Sequence, residues 1–207
     1  MRTYSTDPRS VPQSRDVMEA LPSRLLCIDL QIDPASGPEP DPTAIFGARQ
    51  LLAMGRRLGW TIAHARRRAS SAAPTDLSDA QLGAMRPLKS ERVFFRLDRS
   101  ISDSAGLVAM LDSWRGETVF VAAFDHVALL SCLLACYEHG PRLVLVEDVL
   151  SLRSLTGRTS IDAFRTAAWH LAAGSTTIAN ILTDIERHPR PELAMSGVGE
   201  THGGMPV

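Results

Sequence analysis

The sequence is short of the features that usually give a function away. It has three cysteines, Cys27, Cys132 and Cys136, in apolar surroundings and without the C-x-x-C spacing of a zinc site or redox pair. The odd number points to reduced thiols in a cytoplasm rather than to a disulfide framework. Net charge is nearly absent: 22 basic residues against 23 acidic ones leave -1. No basic field is therefore available to draw in a phosphate backbone or an anionic lipid surface. No apolar run of ~18 residues could cross a bilayer, and the opening MRTYSTDPRSVPQSRD lacks the apolar stretch of a secretory signal. No H-x-H, H-E-x-x-H or D-x-H cluster offers metal ligands, and no Gly-rich loop leads from a strand into a helix, which argues against dinucleotides and nucleoside triphosphates. The expectation is a cytoplasmic protein with no metal, no cofactor, no nucleic-acid partner and no membrane.

What the chain does contain is an ordinary globular composition, 44% hydrophobic and 22% charged over 207 residues. That length suits one compact domain with tails. Residues 1–22 are polar and proline-bearing, and 187–207 are rich in Gly, Pro and charge. The core is accordingly expected over 23–186. Within it, apolar runs suited to buried strands recur at Leu25 to Leu30, Thr61 to Ala65, Val93 to Phe95, Val119 to Ala123, Leu143 to Val146 and Thr176 to Ala179. Asp41 as N-cap, Pro42 at the first helical position and Gly59 just past the end bracket a helix with Ile45, Leu52 and Leu58 on its apolar stripe. A later helix opens at Ser160, carries Ile161, Phe164, Ala168 and Leu171, and stops by Gly174. Strands alternating with helices predict a three-layer α/β/α, Rossmann-like fold with a six-stranded, mostly parallel sheet, whose chemistry gathers where the strands end.

Three strand ends carry polar residues that packing does not require. The first, CIDLQIDP, sets Asp29 among apolar neighbours, with Gln31 and Asp33 beyond it. Burial raises a carboxyl pKa, so Asp29 can serve as a general acid; an Asp at a strand end can equally cap the next turn. The second, in PLKSERVFFRLDRSISDSAGL, presents Arg96 followed by Asp98, Arg99 and Ser100. A guanidinium there can clamp a substrate carboxylate, pair with Asp29, or be a solvated surface charge. The third, VFVAAFDHVALLSCLLACYEHG, turns through Phe124, Asp125 and His126 into a helix ending at Gly140. Free amides at such a helix start can bind an anion or a developing oxyanion. Ala128, Cys132 and Cys136 share one face of that helix, where the cysteines read as core filling. His64, His139, His170, Lys89 and the run Arg66, Arg67, Arg68 carry no pattern of their own.

These blocks resemble the isochorismatase-like hydrolase superfamily. LLCIDLQIDP is similar to its opening hydrophobic-D-M-Q-N-D-F strand, with Asp29 on the catalytic aspartate and Gln31 on the glutamine. PLKSERVFFRLDRSISDSAGL resembles P-x-x-G-D-x-V-I-x-K-x-R-Y-S-A-F-x-x-T-x-L, matching Pro87, Val93, Arg99, Ser100 and Leu107 without a gap and setting Arg96 at the catalytic lysine. AAFDHVALLSCLLACYEHGPRLVLVEDVLSL resembles G-V-x-T-x-x-C-V…G-Y-x-V-x-V-V-x-D-A, anchored on Gly140 and Asp148, with Ala128 on the nucleophilic cysteine. The isochorismatases proper and their phenazine-pathway relatives read G-V-Y-A-H-[IV]-G there, also without a cysteine, and Phe124 and His126 match their Tyr and His. The arm from Tyr4 resembles the entry of that branch, so the likeness spans about residues 4 to 185. Lys is replaced by Arg96 and the branch's Gly by Ala128. The Gln after its second strand is replaced within Arg66 to Arg68, and its W-G-P-G segment is missing.

The resemblance implies a cysteine-independent hydrolase that removes the enol-ether (pyruvate) side chain of an isochorismate-type acid. In that reading Asp29 is the proton donor, Arg96 holds a substrate carboxylate or tunes Asp29, and the turn amides near Ala128 position the water. Gln31, Phe124, His126 and Ser100 line the substrate. The expected partners are a small carboxylate substrate and further copies of the chain, as a homodimer or higher homo-oligomer. The competing expectation is a repurposed chain of the same fold that binds a small acid or a protein without turnover. An amidase using Cys132 is disfavoured, because one helical turn is a ~5 Å rise away from the oxyanion position.

Overall fold

The computed structural model describes residues 23–30, 40–68, 85–97, 100–102, 104–152, 155 and 158–187. The expected arm, the expected tail apart from Arg187, the region 69–84, and Gln31, Asp33, Asp98 and Arg99 lie outside the described residues. Six strands run in chain order as β1 (Arg24–Ile28), β2 (Thr61–Arg67), β3 (Arg92–Arg96), β4 (Thr118–Ala123), β5 (Arg142–Leu150) and β6 (Gly174–Thr176). They form one sheet in the order β3-β2-β1-β4-β5-β6, and every pair is parallel. The near-continuous apolar runs anticipate this arrangement, since a parallel strand is buried on both faces and does not alternate apolar with polar.

Alternation along the strands still divides the core in two. Leu26, Ile28, Ala63, Ala65, Val119 and Val121 face helices α2 (Ala105–Ser113), α3 (His126–Cys136) and α4 (Arg158–Leu171). Leu25, Cys27, Ile62, Phe120 and Ala122 face α1 (Pro42–Arg57) and α5 (Ile178–Arg187). The result is the expected three-layer fold. The order of the strands reverses between β1 and β4, and their carboxyl ends meet there at Ile28 and Ala123. In open α/β sheets that crevice is where ligands bind.

Local sequence explains the helix ends. Asp41 accepts from the Thr43 amide at 3.0 Å, Pro42 follows it, and Gly59 at φ +66 turns the chain out of α1. The buried face of α1 is centred on Ala44, Ala48, Leu51 and Leu52, with Ile45 and Leu58 at its margin. Gly47 lets α1 lie against β5, because a Cβ there would stand 2.5 Å from the Asp148 carbonyl oxygen. The last strand departs from expectation: it spans Gly174–Thr176, and Ile178 and Ala179 belong to α5. Thr177 accepts from the Asn180 amide at 3.2 Å and the Asp148 carboxylate accepts from the Ile178 amide at 2.5 Å. Two caps thus start a helix where the apolar residues alone read as strand.

Candidate active site

Asp29 follows directly on β1 and has φ 50, the one positive φ among the described non-glycine residues. Its amide donates to the Ala65 carbonyl at 2.9 Å, so the chain stays tied to β2 while the left-handed turn redirects the side chain. Oδ1 accepts from the Arg67 amide at 2.7 Å, and Oδ2 accepts from Arg96 Nη2 at the end of β3. Asp29 is 7% exposed and Arg96 0%. Register makes the meeting possible: Ile28 pairs with Ala65, and Arg67 with Arg96, so three neighbouring strands end at one level. Phe124 closes the other side, its amide donating to the Ile28 carbonyl at 3.1 Å.

The electrostatics of Asp29 are contested, and burial wins. Desolvation pushes its carboxyl above the usual aspartate value; the Arg96 guanidinium and the Arg67 amide pull the other way, and the charge of Asp125 adds to the rise. The side chain is thus more proton-retentive than an ordinary aspartate. Arg66, half-buried, is shifted down by burial and held up by Asp29.

The start of α3 differs from expectation. Asp125 is its N-cap, and Oδ1 accepts from the Val127 amide at 2.9 Å and the Ala128 amide at 3.1 Å. The amides expected to hold a water or hemiketal oxygen near Ala128 are engaged by that carboxylate. The cause was present in the sequence, because Asp immediately before a helix is among the preferred N-caps. His126 packs edge-on against Phe164 with ring centroids 5.7 Å apart. The Ser100 hydroxyl pairs with that of Ser102 at 2.6 Å, while the Ile101 amide leans on Ser131 Oγ of α3 at 3.4 Å. Asp29 and Arg96 are thus joined directly, Phe124 adjoins them through the backbone, and Ala128 is linked to them through Asp125. His126 and Ser100 make their described contacts elsewhere, and Gln31 lies outside the described residues.

Cys132 is fully buried, and its thiol is pushed up by the hydrogen bond with Cys136 and by burial, against the pull of Arg96. Such a thiol is a poor nucleophile. Cys27 is likewise buried and raised by desolvation. Among the described residues no group of three or more His, Cys, Asp or Glu could hold a metal, and no helix is long and apolar enough to cross a membrane. A cavity of about 770 Å³ lies apart from Asp29, between the start of α1 and α5, lined among others by Asp41, Phe46, Asp148, Arg165 and Leu182.

One polar cluster escaped sequence reasoning. Glu91, its side chain 5% exposed, accepts from Arg56 Nε at 2.7 Å, from Arg56 Nη2 at 3.0 Å and from the Leu88 amide at 2.9 Å, and pairs with His64 Nε2 at 2.8 Å. Burial opposes the Glu91 charge, but those donors outweigh it and hold the carboxyl below its usual range. His64 is shifted down by burial despite Glu91, which favours the neutral ring.

No protein-family model and no curated protein matches the sequence. Solved structures do match the fold. An isochorismatase from Pseudomonas putida KT2440 superposes with TM-score 0.58 at 18% identity, covering 74% of this chain and 86% of that one. The MAR1 ribonuclease from Caenorhabditis elegans gives TM-score 0.61 at 20% identity, covering 90% and 96%. N-carbamoylsarcosine amidase from Thermoplasma acidophilum gives TM-score 0.50 at 17% identity, covering 74% and 94%. At these identities the likeness is one of fold, and the chain has the α/β fold of the isochorismatase-family hydrolases.

Proposed function

We propose that the chain is a hydrolase that works without a cysteine nucleophile, cleaving the enol-ether side chain of an isochorismate-type carboxylate by acid catalysis from Asp29. The observation that carries this reading is Asp29 itself. A buried carboxyl with raised proton affinity, turned out of the strand by a left-handed backbone at the carboxyl end of a central strand, is the kind of perturbed acid that concentrates at functional sites. The fold supports a hydrolase, although the neighbours' names span ether, amide and ribonucleic-acid chemistry, so the fold alone does not give the substrate.

The chemistry needs an acid and a water. Asp29 delivers its proton to the terminal methylene carbon of the side chain, water adds to the resulting oxocarbenium carbon and returns a proton to Asp29, and the hemiketal collapses to pyruvate and the ring alcohol. A carboxyl has about four lone-pair directions. Oδ1 and Oδ2, each accepting one bond from Arg67 or Arg96, therefore retain room for the transferable proton. Arg96 steadies the carboxylate left behind. Pyruvate release from isochorismate and its 2-amino analogue, compared between wild type and Asp29→Asn, tests the reading; equal release by both proteins, or none by wild type, would overturn it.

A second reading has its own support. Arg96 is engaged with Asp29, and the α3 amides with Asp125, so two groups wanted for substrate are already paired within the chain. A non-hydrolytic protein of the same fold, binding a small acid, suits that arrangement. Binding of isochorismate without pyruvate release would favour it.

A further inference from the structure

Strand β3 lies at the edge of the sheet, paired with β2, and ends at Arg96. The reach of that guanidinium to Asp29 therefore depends on which residue of β3 stands beside Arg67. The apolar pattern does not select the register observed. That register buries Arg96 completely while leaving Phe95 54% and Leu97 73% exposed. A step back by one residue would exchange the strand's faces. Phe95 would replace Phe94 against the core, Arg96 would take the exposed place of Phe95, and Leu97 would take the buried place of Arg96. Exposing a guanidinium and burying a leucine both favour that slip. Against it stand the half-buried Val93, which would become exposed, and the contact of Arg68 with the Phe95 ring. A cavity of about 480 Å³ lined by Phe94, Gly106 and Met110 leaves room beside the strand.

We infer that Glu91 is the positioning residue that holds this register, locking the start of β3 to α1 and β2 so that the far end of the strand sets Arg96 on Asp29. Glu91 immediately precedes the strand. Its carboxylate joins Arg56 of α1, at 2.7 and 3.0 Å, to His64 of β2, at 2.8 Å. It also accepts from the Leu88 amide at 2.9 Å, while the Glu91 amide donates to the Leu88 carbonyl at 3.0 Å. Arg56 Nη2 donates to the Arg86 carbonyl at 2.7 Å, so the turn that enters the strand is pinned as well. A one-residue step is ~3.3 Å, enough to break the bonds to Arg56 and His64 together. Charge-assisted bonds of this kind are exacting in geometry, and they select a register that the apolar side chains here do not. That Arg96 and Asp29 serve turnover rests on the hydrolytic reading; the lock itself does not.

NMR of the full chain, free of substrate, tests the inference. Wild type should show cross-strand NOEs from Ala65 to Phe94 and from Arg67 to Arg96. In Glu91→Ala they should move by one residue, to Phe95 and Leu97. The Asp29 carboxyl, having lost its cation, should then titrate ~1 pH unit or more above wild type. Adding Leu97→Glu should restore both readouts, because the slipped strand would have to bury a second carboxylate beside Asp29. A role confined to stability would not be rescued from that exposed position. Should Glu91→Ala fail to fold, Arg56→Met, which removes both guanidinium bonds to the carboxylate, should give the same change and the same rescue. A folded variant with wild-type NOEs and Asp29 titration, or a slip that Leu97→Glu leaves in place, would overturn the assignment. A wild type without pyruvate release would overturn hydrolysis and not the lock.

Discussion

The guanidinium of Arg96, without solvent exposure, is held against the carboxylate of Asp29 across the one strand, β2, that separates them, so that neither residue's chemistry can be changed alone. The pair sets what each variant should do.

Removing the acid should cost turnover and leave stability intact. Burial raises the Asp29 pKa in spite of Arg96, so folding already disfavours the ionised form, and a neutral amide of the same shape removes that cost. Urea unfolding of Asp29→Asn should match or exceed wild type at pH 7. A loss of ~3 kcal/mol or more, recovered in part by the double variant Asp29→Asn, Arg96→Met, would instead mark Asp29 as the structural partner of Arg96.

Turnover should have an acid limb. A general acid works while it keeps its proton, so kcat should fall as pH rises through the Asp29 pKa, at a midpoint above that of an ordinary aspartate. Arg96 pulls that value down. Arg96→Met should therefore move the midpoint to higher pH, and a midpoint that stays put or moves lower would remove Asp29 from the proton-transfer role.

Acid should loosen the opposite layer of the core first. His64 has a depressed pKa, so its contribution is complete above the unfolded histidine value of about 6.5 and is lost as pH falls below it. Glu91, also depressed, gives way next, as pH falls through the carboxylate range. Asp29 has the reverse sign, because its raised pKa favours the folded state as protons bind, and it softens the loss. Thermal melts between pH 7 and pH 3 should fall in that order. Glu91→Gln should flatten the lower part of the curve and destabilise the neutral protein by ~2 kcal/mol, since Arg56 keeps some contact with water.

The helix thiols should be dispensable to chemistry. Cys132→Ser with Cys136→Ser should leave kcat within about threefold while lowering the melting temperature, because both side chains fill the core. A ~100-fold fall in a folded variant would instead mark Cys132 as the nucleophile.

The sheet was legible because its strands are buried on both faces and so read as continuous apolar runs, Leu25 to Ile28 and Val119 to Ala123 among them. The start of α1 was legible because Asp41 and Pro42 sit beside each other. What escaped depended on which side chain takes which amide. Thr177 and Asp148 turn Ile178 into a helix start, and Asp125 takes the amides near Ala128 that a ligand was expected to use. Arg56, His64 and Glu91 meet only after α1, β2 and the approach to β3 have packed, so no local pattern announces them.

The left-handed backbone at Asp29 limits how this protein could lose its acid. Aspartate, asparagine and glycine enter that region with little strain, whereas alanine, glutamate and β-branched residues do so only with difficulty. Random drift at this codon is thus channelled. A descendant released from catalysis would be expected to carry Asn or Gly here, so an inactive form would keep the bend of the chain after its acid had gone.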